Sequence, residues 1–211
     1  MAKETTASAV ANAISIDEAM LVEQAKTGDM GAFGRLVSKY QDRVLNVCWR
    51  MAGNMDDAQD LAQEAFLHAL ESIQSFQHKA GFYTWLYRIA VNLSITHRRK
   101  SARQVKLSLH GRDGQWGDDC QEVKPVGRVS NEKTDPAAKL SARETERLVM
   151  EGLEQLDEEQ RAIIVLKDVE SLDYQQIAEI LEVPVGTVKS RLHRARMALR
   201  ERLKPIVSLE E

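Results

Sequence analysis

The chain has 211 residues, 43% hydrophobic and 29% charged, with a net charge of −3, the composition of a soluble globular protein with one large or two small domains. No apolar run approaches the ~20 residues of a membrane span, and the opening MAKETTASAVANAIS carries a single lysine and no sustained apolar core, so neither membrane insertion nor a signal peptide is expected. The only cysteines, Cys48 and Cys120, sit in no CxxC and share no zinc-like spacing with histidine, which points to a reducing cytoplasm and to no metal or other cofactor.

A negative chain is an unpromising nucleic-acid binder as a whole, but its charge is segregated. Basic residues gather at His97–Lys106 and Lys189–Lys204, while acids such as Glu151, Glu154, Asp157, Glu158 and Glu159 crowd elsewhere. That layout implies local basic footprints rather than a uniformly basic surface.

In chain order, residues 1–14 lack periodicity and read as a loose tail. Ser15 with Glu18 makes a capping box that opens a short helix to about Thr27. Gly28-Asp29 punctuates, and a helix over about Met30–Ala52 follows, with Phe33, Leu36, Tyr40, Val44, Val47 and Cys48 at helical steps. Cys48 thus reads as a core residue. Gly53 ends that helix, and Asn54 caps the next, about Met55–Ser72. One face of it is apolar, and Asp56, Asp57, Asp60, Gln63 and Glu64 line the other. Charges alone do not distinguish a solvated face from a docking surface.

The next stretch is unusual. Phe76, Phe82, Tyr83, Trp85 and Tyr87 lie within twelve residues, in a loop over Gln77–Gly81 and a helix over about Phe82–Arg103 that also carries Arg88, Asn92, His97, Arg98 and Arg99. Rings interleaved with cations suit single-stranded nucleic acid, since bases stack on rings and cations hold phosphates. An aromatic core helix with a basic last turn fits equally well. Trp85 reads as structural, with Phe76, Phe82 and Tyr83 partly available. Periodicity then fails from about Gln104 to Pro136, where glycines and polar residues read as a linker; such a coil averages roughly 30 Å end to end and stretches to about 100 Å. Trp116 within it is a sticky contact or a docking residue.

A second domain is expected over about 137–207. It opens with a helix to about Gln155. A second capping box, Asp157 with Gln160, starts a helix to about Asp168. Asp173 and Gln176 form another box, with Leu172 and Ile177 as a hydrophobic staple. Glu182-Val183-Pro184 then breaks the helix. The last helix has an apolar stripe at Val188, Leu192, Ala195, Leu199 and Leu203, and seven Lys/Arg against one acid from Val185 to Lys204. A capped helix, a short turn and a one-sided basic helix make a helix-turn-helix, which projects its second helix into a DNA major groove. No strand pattern appears, so the fold class is all-α, two small helical domains joined by a linker.

Two separated stretches resemble the extracytoplasmic-function (ECF) subfamily of the bacterial sigma-70 factors. DAQDLAQEAFLHAL (Asp57–Leu70) followed by FYTWLYRIAVN (Phe82–Asn92) is similar to sigma region 2, and LDYQQIAEIL with PVGTVKSRLHRARMALRERL (Pro184–Leu203) is similar to region 4. The resemblance implies region 2 over 15–103 and region 4 over 137–207. It implies that Asp57, Asp60, Leu61, Gln63, Glu64 and Phe66 dock on the β′ clamp helices of core RNA polymerase, with the β flap as a further contact. It implies that Phe76, Phe82, Tyr83, Arg88, Asn92, Arg98 and Arg99 capture and melt the −10 element, and that Lys189, Ser190, Arg191, His193, Arg194 and Arg196 bind the −35 element. Promoter DNA, core polymerase and an anti-sigma factor, often membrane-anchored, are the implied partners. The loop Phe76-Gln77-His78-Lys79-Ala80-Gly81-Phe82 departs from relatives with Arg-Gly and an acid or serine after the first aromatic, so no −10 sequence is carried over.

The expected protein is therefore a non-enzymatic transcription initiation factor. Two promoter elements about two helical turns apart lie some 70 Å from each other, so its linker must be stretched on a promoter. A stand-alone helix-turn-helix regulator would explain Asp173–Lys204 but not Phe76–Arg99. A DNA-processing enzyme would need a catalytic motif, and GxxxxGK[ST], HExxH and GxSxG are all missing.

Overall fold

The computed structural model describes residues 17–109 and 136–207, and among them there are helices and turns but no strand. The expected N-terminal tail, Ser15, Trp116, Cys120 and most of the linker lie outside the described residues. Helix α1 (17–26) is followed by α2 (Met30–Ala52) and α3 (Met55–Ser72), the latter two with the bounds the sequence predicts. Each boundary has a local cause. The Asp29 carboxylate accepts from the N–H groups of Gly31 and Ala32, and the Asn54 amide oxygen accepts from that of Asp57. Gly53 ends α2 at φ 94°, a left-handed conformation that costs glycine nothing.

A short 3-10 turn, Ile73–Ser75, leads into loop 76–81 and then α4 (Phe82–Leu109). Helix α4 outruns the expected end at Arg103 by six residues, so the linker starts later than the sequence suggested. The segment Gln104–Leu109 contains no Gly or Pro and is compatible with continued helix. Alanines at Ala58, Ala62, Ala65 and Ala69 give α3 a flat buried face, which lets it pack closely on Leu36, Val44, Val47 and Met51 of α2. Cys48 is fully buried there, and burial pushes its thiol up to about 12, consistent with a packing role.

The C-terminal domain is α5 (Pro136–Glu154), α6 (Glu158–Ile164), α7 (Tyr174–Leu181) and α8 (Val185–Val207). Asp157 caps α6 by accepting from the Gln160 N–H, but among the described residues only the Asp173–Gln176 pair at α7 closes a reciprocal box. Leu172 and Ile177 flanking that box are both buried. Helix α6 does not run unbroken to Asp168 as expected. It widens into a π turn over Val165–Val169, closed by the Glu170 N–H donating to the Val165 carbonyl at 3.0 Å.

The two domains pack against each other, which the sequence did not indicate. The π turn delivers Glu170 to the N-terminal domain, where it accepts from the Tyr87 hydroxyl at 2.7 Å and the Asn46 amide at 3.2 Å. Arg161, with no exposed surface, donates from Nε to the Leu153 carbonyl at 2.7 Å and from Nη1 to the Met51 carbonyl at 2.6 Å. Arg98 reaches the Met51 and Glu154 carbonyls at 3.4 and 3.5 Å. Met51 lies in the last turn of α2, and Leu153 and Glu154 in the last turn of α5. The two guanidinium groups thus occupy the convergent negative ends of two helices, satisfying carbonyls that lack intrahelical partners.

Asp173→Ala should remove the capping box and cost about 1 kcal/mol, read as a lower melting temperature by circular dichroism. Phe82 is 3% exposed and packs 5.6 Å from Trp85 and 6.0 Å from Phe76, ring centre to ring centre. Phe82→Ala should therefore cost about 3–5 kcal/mol in a denaturant titration, a loss a purely surface ring would not produce.

Candidate nucleic-acid and polymerase interface

The recognition surface begins with the break between α7 and α8. Glu182 adopts φ 54° and donates its N–H to the Ala178 carbonyl, so a charged residue holds the left-handed position that glycine fills most easily; that backbone costs about 1–2 kcal/mol. Pro184 precedes α8 rather than opening it, and its carbonyl accepts from the N–H groups of Thr187 and Val188. Val188, Leu192 and Ala195 are buried against the rest of the domain. On the opposite side, Lys189, Ser190, His193 and Arg194 are exposed along one helix face.

The neighbours of that face are already engaged. The Arg191 guanidinium lies 2.8 Å from Glu159, and Arg196 is bidentate on Asp168, which raises its pKa. Lys189 stands over the Tyr174 ring, 5.6 Å from its centre. The helix therefore presents Ser190, His193 and Arg194 as its accessible polar tips, with Arg191 and Arg196 bent toward acids on α6 and the π turn.

Loop 76–81 is organised by rings. Phe76, Phe82 and Trp85 form a cluster with centres 5.1–6.0 Å apart, and Tyr40 joins through Phe82 at 5.9 Å. Phe76 and Phe82 are 5% and 3% exposed. This corrects the expectation that they are partly available for stacking: they pack on one another and scaffold the loop. Tyr83 is half-buried, with its hydroxyl accepting from Gln176 of α7. Beside the cluster lies a cavity of about 300 Å³ lined by Phe76, Lys79, Thr84, Trp85, Arg88 and, from the C-terminal domain, Glu179. Asn92 and Arg99 are exposed farther along α4, and Arg98 is turned into the domain junction instead of outward.

Sequence reading missed how the loop is tied down. His78 has φ 54° and its Nε2 lies 2.6 Å from Glu23 of α1. Hydrogen bonds from Lys26 and then His78 hold the Glu23 carboxyl below its usual range. The positive φ of a histidine and a pairing across 55 residues leave no local pattern to read.

On α3, Asp60, Gln63 and Glu64 are exposed and Asp57 is half-buried, 3.7 Å from His97 and hydrogen-bonded to Asn54. Leu61 departs from the expected docking face, since it is 4% exposed and belongs to the core. Phe66 borders an apolar groove of about 400 Å³ between α2 and α3, along with Phe33, Val37, Leu45 and the 52% exposed Leu67. Among the described residues no helix is long and apolar enough to cross a membrane.

Residues 36–104 match the Sigma-70 region 2 family and residues 146–199 match Sigma-70, region 4. The chain is 36% identical over 187 residues to the ECF RNA polymerase sigma factor SigW of Bacillus subtilis, covering 88% of this chain and 96% of that one. It is 36% identical over 188 residues to the ECF RNA polymerase sigma-E factor of Haemophilus influenzae, covering 89% and 95%. Its fold is similar to CnrH solved with the cytosolic domain of CnrY, with TM-score 0.61 and 22% identity over 90% of this chain and 98% of that one. It is also similar to the sigma factor RpoE solved with the anti-sigma factor NepR from Bartonella quintana, with TM-score 0.59 and 24% identity over 82% and 96%. A stand-alone regulator would carry the region 4 match without the region 2 match, and this chain carries both. The chain belongs to the ECF sigma factors of the sigma-70 family, non-enzymatic initiation factors that act with core RNA polymerase to select promoters.

Proposed function

We propose that the two domains divide promoter recognition between duplex and single strand. The observation that carries this is the pairing of an exposed recognition face on α8 with a ring-walled cavity beside loop 76–81 in the other domain. Arg194, with His193, Ser190 and Lys189, reads base edges of the −35 element. Arginine does so best, through a bidentate contact to guanine O6 and N7. Arg191 and Arg196, which lie at the margins of the face and pair readily with carboxylates, grip phosphate and fix register.

The cavity takes a base flipped from the −10 element. Its volume is at the low end of those that hold small ligands, its walls are aromatic, and Thr84, Lys79 and Arg88 supply polar atoms. Flipping costs a few kcal/mol, offset by stacking and edge hydrogen bonds. Tyr83, Arg88, Asn92 and Arg99 hold the strand, while Phe76 and Trp85 line the cavity and Phe82 supports Phe76 from behind. Arg98 serves the domain junction unless the domains separate.

Core polymerase docks through Asp57, Asp60, Gln63 and Glu64 of α3, with Phe66 and the adjoining apolar groove supplying desolvated contact. An anti-sigma factor is the expected regulator, as the anti-sigma factor NepR accompanies a sigma factor of the same fold. The protein works in the cytoplasm, where core polymerase and promoter DNA are found.

Transcription from a randomised promoter library with purified core polymerase tests the reading. Initiation must depend on this chain, and the enriched promoters must share two elements at a fixed separation; enrichment of a single element would refute the division of labour. On a promoter so obtained, Arg194→Ala should lower initiation by roughly 5- to 150-fold, the equivalent of about 1–3 kcal/mol, and relax preference at one −35 base pair. Arg191→Ala should weaken all −35 variants alike and flatten the salt dependence.

A further inference from the structure

Loop 76–81 supplies one wall of the cavity beside it, and buried rings, Phe76 and Phe82, fix its two ends. Its middle is held differently. Among the described residues, His78 makes the one side-chain hydrogen bond or ion pair of segment 77–81, its Nε2 lying 2.6 Å from the Glu23 carboxylate of α1. The same ring packs on Phe76, with 4.6 Å between centres. The backbone agrees with this contact. His78 sits at φ 54°, a left-handed conformation in which histidine is found more often than most residues. It is exposed and faces α1, while Gln77, Lys79 and Ala80 on either side of it line the cavity.

Helix α1 is a firm anchor for such a tether. Leu21, Val22 and Ala25 are buried in the domain core. Glu18 accepts from the Tyr40 hydroxyl and lies 2.6 Å from Lys39, and the Tyr40 ring stands 5.9 Å from Phe82. Two carboxylates of one short helix therefore reach the same ring cluster, Glu18 through Tyr40 and Glu23 through His78. Lys26, 3.0 Å from the Glu23 oxygen that meets His78, helps to keep that carboxyl ionised. We infer that Glu23 and His78 are positioning residues for −10 specificity: α1, which has no DNA contact in the reading above, selects the loop conformer that presents Gln77 and Lys79 to the flipped base. The inference rests on the proposal that the cavity takes such a base. An exposed pair adds little to the stability of the fold. Here it has only to choose among conformers of a short loop whose ends are already fixed, and differences of that size shift such populations severalfold.

The test uses holoenzyme assembled from the full chain and core polymerase. Its templates are a promoter from the randomised library and the three relatives changed at the −10 position where bases are discriminated most. The readout is the ratio of initiation on the best base to that on the next best. His78→Asn tolerates the left-handed backbone but is too short to reach Glu23. His78→Gln restores a side-chain donor of similar reach, and Glu23→Ala removes the anchor. The ratio should fall about threefold in His78→Asn and in Glu23→Ala, within the range of an exposed charged pair. It should fall no further in the double variant, because the two residues act as one unit, and His78→Gln should restore it. The −35 preference and the thermal midpoint should not move. Equal ratios for His78→Asn and His78→Gln, or losses that multiply in the double variant, overturn the inference. An abasic site at the same −10 position, read with the parent holoenzyme, tests the reading beneath it. Abasic DNA that initiates as well as the intact promoter means that no base is captured, which removes that reading and this inference together. Impaired initiation on abasic DNA, with parental ratios in the tether variants, overturns the tether alone.

Discussion

A buried positive charge with no carboxylate of its own organises the junction of this molecule. Arg161 has no exposed surface, and burial, followed by the nearby Arg98 charge, lowers its pKa to about 10. What compensates is backbone: the carbonyl ends of α2 and α5 point at it, and two of them accept its N–H groups. Among the described residues its Nη2 has no partner, nor does Nε of Arg98.

Reversibility is what the function demands. The promoter elements stand some 70 Å apart on DNA, about two helical turns, whereas here the recognition helix and the −10 loop belong to one packed body. The seam combines an apolar core shared by both domains with polar bonds such as Tyr87 to Glu170, and Tyr87 is buried, its pKa raised by burial and by the neighbouring Glu170 charge. Helix α4 runs on to Leu109, which leaves 110–135 to bridge the domains. At about 3.3–3.6 Å per residue, that span still reaches roughly 90 Å when extended.

Most of the helices were legible because their signals are local. Asp29, Asn54 and Asp173 cap where short-range spacing says they should, and the end of α2 and the start of α3 follow from Gly53-Asn54. The helix-turn-helix was likewise readable from one capping box, one proline and one apolar stripe. Misreadings came where partners are distant or rings choose each other. Phe76 and Phe82 looked available because a loop flanks them, yet three rings in contact bury one another. Leu61 enters the docking set only through the family resemblance, whereas its helical phase puts it with Ala58 and Ala65 in the core. The segment after Arg103 reads as linker for want of clear periodicity, yet Gln104–Leu109 holds no Gly or Pro to stop the helix. Pairings such as Glu159 with Arg99, across sixty residues, have no sequence pattern at all.

The central claim is that one chain is closed when free and opened when polymerase engages it. Amide hydrogen exchange of the full chain, with and without core polymerase, tests it most directly. Peptides covering 46–53, 84–90 and 157–176 should exchange faster once core is bound, while 57–66 on α3 becomes protected. Seam peptides that stay as protected in the holoenzyme as in the free protein would contradict the account.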